Sequence, residues 1–237
     1  MLGLVGLFVL AGCGDANEND NNDDTSRQVC EDMTPPEEVE DCVAFPEGES
    51  QSTAFRVRNL EQLCQSKCNK IEALSLSNAI ESLAPLKNIR EVRGAFLFGT
   101  VIGLESLDGV ENIEIIGSAP YEASGVNITG PDLVSTEGFD SLHTIQARQT
   151  VIRNTDKLRT IEGFPNLERI EEGGLAIIYN EKLEDISGLQ QLKYVGGPVV
   201  IENNPELPRC EAQAFVDGID TITGEVTIQN NGTGSCE

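Results

Sequence analysis

Apolar residues recur three positions apart in blocks that return along the chain. Ile80, Leu83, Leu86, Ile89 and Val92 form one block, and Leu104, Leu107, Val110, Ile113 and Ile116 the next. Leu133, Thr136, Phe139, Leu142 and Ile145 follow, then Leu158, Ile161, Phe164, Leu167 and Ile170, then Leu183, Ile186, Leu189, Leu192 and Val195. The last residues of successive blocks lie 24, 29, 25 and 25 positions apart. A repeat of this size marks a solenoid, in which each coil buries its apolar face only against its neighbours.

Between the blocks run short stretches that alternate with period two, the pattern of a strand with one buried face. The alternating pairs are Leu74 with Leu76, Phe96 with Phe98, Val126 with Ile128, Thr150 with Ile152, Leu175 with Ile177, Val199 with Ile201, and Val226 with Ile228. Three pairs are followed three residues later by Asn180, Asn204 and Asn231. These asparagines are expected to form the tight corners themselves, since Asn tolerates left-handed backbone angles. Stacking the units predicts a single-domain β-helix over residues 53–237, with a parallel sheet of one strand per coil. The three-spaced blocks then fill the space between that sheet and the opposite wall. The outward strand positions Leu97, Val151, Ala176 and Val200 should form a mildly apolar stripe, a candidate binding face. The plainer account is that such residues simply suit strands. The 29-residue spacing holds an insertion at 118–124, and its Tyr121 is a further candidate contact because insertions in solenoids become loops on one face.

Composition changes the picture at the N-terminus. Leu2 to Leu10 is an unbroken apolar or glycine stretch, too short for a membrane span and suited to an export signal. Residues 13–52 hold thirteen Asp or Glu and one basic residue, Arg27, about half of the net charge of −24. Such a segment cannot bury enough apolar surface to offset its ordering entropy, and a solvated tether is expected. The Asp/Asn cluster between Asp15 and Asp24 lacks the ligand frame and glycine of a calcium loop. The acidic surplus excludes a nucleic-acid footprint and favours a basic partner or plain solubility.

The string Leu10-Ala11-Gly12-Cys13 resembles the lipobox of bacterial lipoproteins, although no Lys or Arg precedes the apolar stretch. The resemblance implies a signal peptide over residues 1–12, a diacylglyceryl thioether on Cys13 and membrane attachment in the cell envelope. Six cysteines then remain: Cys30, Cys42, Cys64, Cys68, Cys210 and Cys236. An even number in an exported chain reads as disulfides. Cys210 and Cys236 bracket the last coil and form the natural pair. For the other four, joining Cys30 and Cys42 to Cys64 and Cys68 is favoured over the local pairs Cys30 with Cys42 and Cys64 with Cys68. A metal site at Cys64 and Cys68 is disfavoured by export and by the lack of a nearby histidine, since His143 is the only one.

The segment Leu189 to Leu207 and the string Cys68-Asn-Lys-Ile-Glu-Ala-Leu-Ser-Leu76 resemble the repeat and first coil of receptor L-domains, the ligand-binding lobes of growth-factor receptor ectodomains. The ending Leu207-Pro-Arg-Cys210, closed by Gly-Thr-Gly-Ser-Cys236, is similar to that of repeat lipoproteins in predatory or soil bacteria. The resemblance implies a right-handed β-helix related to leucine-rich repeats, with no catalytic residues to carry over. The expected function is therefore a non-catalytic binding module, monomeric and without cofactor or metal, whose ligand is a protein or glycan. A structural or adhesin role is one alternative. A glycan-active enzyme using Glu171, Glu172 and Glu202 as paired acids is another, against which stands the absence of Trp and of clustered basic or aromatic residues beside them.

Overall fold

The computed structural model describes residues 39–44, 60–63, 66–119 and 125–236. Strands are numbered along the chain as β1 (Glu40–Ala44), β2 (Cys68–Ile71), β3 (Leu74–Ala79), β4 (Glu91–Val92), β5 (Phe96–Ile102), β6 (Ile115–Ile116), β7 (Val126–Ile128) and β8 (Thr144–Ile145). The series continues with β9 (Gln149–Arg153), β10 (Arg169–Ile170), β11 (Gly174–Ile178), β12 (Tyr194–Val195) and β13 (Val199–Glu202). A helix α1 (Arg209–Asp217), β14 (Thr221–Ile222) and β15 (Val226–Gln229) complete the fold. It is a parallel β-solenoid of about seven turns.

The long sheet takes one strand from each coil as expected, and each coil adds a second, shorter strand to a second sheet. The longer odd-numbered strands β3 to β15 stack into a seven-stranded sheet, and β1, β2 and the even-numbered strands β4 to β14 into an eight-stranded one. The spacing of the three-spaced blocks is the register of the second sheet. Val92, Ile116, Ile145, Ile170 and Val195 sit directly above one another. The opposite wall predicted for the ladder is thus itself hydrogen-bonded. Two-residue strands contain no full alternation, so their sequences carry no strand pattern of their own.

The interior is continuous. Leu74, Leu76, Phe96 and Phe98 from the long sheet meet Ile71, Val92 and Ile116 from the short one, all buried. Phe96 packs against Phe98 and Phe139 with ring centroids 5.1 and 5.4 Å apart, and Phe139 stacks on Phe164 at 5.2 Å. Burying one such ring stabilises the fold by about 3 kcal/mol. Thr136 is the polar exception in the ladder, fully buried. Its hydroxyl accepts from the Glu162 and Gly163 amides of the next coil at 3.1 and 3.2 Å, which accounts for a hydroxyl at an apolar position. Glycine at 163 has a steric cause: a Cβ there would stand 1.6 Å from the Thr136 carbonyl oxygen. The coils could not approach this closely with any side chain at that point.

Two expectations need correction. The corner residues in left-handed conformation are Asn78, Asn154, Tyr179, Asn203 and Asn230, with φ between 51° and 76°. Tyr179, Asn203 and Asn230 lie one position before the residues first assigned to the corner; Asn180 and Asn204 are buried. The acidic segment is not all tether, because Glu40–Ala44 pairs with β2. Burial of Ala44 in the core and the bond from Cys42 to Cys68 tie this stretch down. Residues 209–217 form a helix within the last coil. Leu207, Ala212 and Val216 turn inward there, in place of a three-spaced block.

Candidate functional site

The outward row of the long sheet is laid out by the strand register. Ser75, Leu97, Asn127, Val151, Ala176, Val200 and Thr227 stand side by side across β3 to β15. Four of these are the stripe expected from the alternation. Leu97, Ala176 and Val200 are half-buried, and Val151 is 6% exposed. The next row outward holds Arg153, Ile178, Glu202 and Gln229 in register. The face is flat, weakly apolar and bordered by polar side chains. Tyr121, Cys13, Cys30 and Cys64 lie outside the described residues.

At the end of this sheet the solenoid turns a corner, and the corner is built differently along its length. From the fourth coil onward it is lined by buried amides. Thr155 donates its hydroxyl to Asn180 Oδ1 at 2.7 Å, and Asn180 donates its backbone N–H and Nδ2 to Asn204 Oδ1, both at 3.1 Å. Asn204 repeats both donations to Asn231 Oδ1 at 3.2 and 3.1 Å. Each Nδ2 also donates to a carbonyl of the preceding coil: Ile152 for Asn180, Ile177 for Asn204 and Ile201 for Asn231. The ladder satisfies backbone groups that a corner cannot pair by sheet bonding. It cannot extend one coil earlier, where Gly130 and Pro131 occupy the equivalent positions. Neither offers a side-chain amide, and Pro131 has no N–H.

Where the ladder stops, the surface opens into a groove of about 470 Å³ along the ends of β5, β7 and β9. Gly99, Asn127, Pro131, Arg153 and Asp156 line it. Asn127 donates Nδ2 to the Phe98 carbonyl at 2.7 Å, while its enclosed Oδ1 has no hydrogen-bond partner among the described residues. Arg153 and Asp156 are exposed. Arg153 makes no ion pair among the described residues, whereas other cations bridge coils: Lys157 to Asp132 and Arg90 to Glu114, each at 2.8 Å, and Arg159 to Glu184. A second cleft of about 660 Å³ lies between α1 and β15, beside the Cys210–Cys236 disulfide.

The carboxylates considered as paired acids do not converge on one task. Glu171 beside β10 is held by the Arg169 guanidinium at 2.7 Å, which keeps its carboxyl below the usual range. A general acid needs the opposite shift. Glu202 stands on the other sheet and accepts from Gln229 Nε2 at 2.6 Å. Arg169 also lies over the Tyr194 ring, 4.2 Å from its centre, so this cation is engaged on both sides.

These features define a class: a two-sheet parallel β-solenoid with disulfides at both ends and an open groove at one corner. The chain matches no protein-family model, no curated protein and no solved structure.

Proposed function

We propose that this chain is a lipid-anchored protein of the bacterial cell envelope whose solenoid is a non-catalytic binding module of the receptor L-domain kind. The observation that carries the reading is the in-register outward row of the long sheet, from Ser75 to Thr227. A flat parallel sheet with half-buried apolar positions and a polar border offers a partner contact area without a deep cavity. The lipobox string at Leu10 to Cys13 and the acidic stretch behind it support display at a distance from a membrane. A binding role also fits a set of carboxylates that are ion-paired or solvated.

Cross-linking on intact cells tests the reading. A stoichiometric partner captured by the wild type and lost in the Val151→Glu, Val200→Glu double variant supports it. Capture of other copies of the chain instead favours a structural or adhesin role. Capture of the same partner at unchanged yield by the variant overturns the assignment of this face. The anchor has its own measurement: Cys13→Ser should move the protein from the membrane fraction to the soluble one.

A further inference from the structure

Tyr179 is out of place by every local rule. It is 56% exposed, so burial does not explain an aromatic ring there. Its backbone is left-handed, φ 58°, a conformation that disfavours a bulky side chain by about 1 kcal/mol. The same corner position on neighbouring coils holds Asn154, Asn203 and Asn230, the residue type suited to it. Strain kept at an exposed aromatic is a pointer to function. Tyr179 stands one rung from the groove: the Asn154 amide, at the groove's edge, donates to the Tyr179 carbonyl at 3.1 Å.

We propose that Tyr179 and the groove formed by Asn127, Arg153 and Asp156 make a subsite for a neutral hexose unit of a glycan chain. The inference rests on reading the solenoid as a binding module and names a ligand class for it. A pyranose presents a C–H face that packs on an aromatic ring and a rim of hydroxyls that both donate and accept. Arg153 offers donors with no ion pair to satisfy them, and Asp156 offers acceptors. Asn127 is held at the groove wall by the bond from its Nδ2 to the Phe98 carbonyl at 2.7 Å, which gives the floor of the groove a fixed shape. The opposite charges of Arg153 and Asp156 suit a neutral ligand. A net charge of −24 disfavours a polyanionic one. The absence of side chains at Gly99 and Gly130 leaves the groove open at the surface, as an internal unit of a long chain requires.

Isothermal titration of the full chain with cellohexaose, maltohexaose and mannohexaose tests this. One of the three should bind with a Kd of about 0.1–1 mM, a range common for single shallow sites. Tyr179→Asn should weaken that binding about tenfold while raising the unfolding midpoint, because it removes the ring and the strain together. Arg153→Gln should weaken binding at unchanged stability. Failure of all three sugars to bind, or full affinity in both variants, overturns the proposal. Val200→Glu alone, on a strand that does not line the groove, should keep its sugar affinity, so loss of the sheet-face reading and loss of this one are separate results.

Discussion

The N-terminal and C-terminal halves of the solenoid solve the same packing problem with different chemistry. In the earlier coils the aliphatic interior carries a contact series of rings, Phe96, Phe98 and Phe139, that reaches Phe164 in the coil of Thr155. In the later coils the corner is threaded by amides, with Thr155, Asn180, Asn204 and Asn231 bonded from coil to coil. Ring packing is tolerant of corner shape, and the early corners vary accordingly, through a register shift in β3 and a left-handed Gly103. An amide ladder is directional and demands equal coil spacing, and the later coils keep it. The groove lies where one device gives way to the other.

The comparison can be broken by removing each device. Phe139→Ala should cost about 4 kcal/mol in urea unfolding, because a fully buried ring with two aromatic neighbours leaves a cavity that rigid coils cannot close. A cost near that of an exposed site would mean that the rings are not the principal packing of this half. Asn204→Ala should cost about 3 kcal/mol, since it strands the Asn180 amides, the Ile177 carbonyl and Asn231 Oδ1. Hydrogen exchange should then rise first at β11, β13 and β15 and leave β3 and β5 protected, as nearest-neighbour stability requires. Equal loss of protection at both ends would show that the halves are not energetically separate.

The smallest effect concerns the ion pair that links the two halves. Lys157 holds the Asp132 carboxyl below its ordinary value of 3.8, with help from the Gly103 amide at 3.0 Å. A lowered carboxylate contributes stability above its unfolded value and loses it as pH falls through the folded one. The loss therefore belongs below about pH 4, and both groups are exposed enough for salt to weaken it. Asp132→Asn should flatten the acid limb of the thermal midpoint slightly and leave the midpoint at pH 7 almost unchanged. A large drop at neutral pH would mean that this bridge does more than join surface loops.

The inward faces were legible because burial imposes a period. Leu175 with Ile177 and Val199 with Ile201 announce the long sheet, and the three-spaced blocks announce its opposite wall. The second sheet was hidden, since Arg169–Ile170 and Tyr194–Val195 are too short to alternate. The asparagine corner was read one residue out, because Asn203-Asn204 and Asn230-Asn231 are doublets. The pair Tyr179-Asn180 held the answer: the residue shared by all three corners is the second, so it is the buried one. Helix α1 had a weaker signal, Pro208 before it, Ala212 and Val216 four apart within it, and Gly218 after. The groove had none, for it is made by glycines, a proline and the end of a ladder, all defined by what neighbouring coils contain.

The longest coil shows where this architecture can be edited. Between the short-sheet and long-sheet rungs, Ile145 to Thr150 and Ile170 to Leu175 take five steps, but Ile116 to Val126 takes ten. Both sheets keep register across it. That coil therefore shows that chain length at this corner can change without a change in the pairing of either sheet.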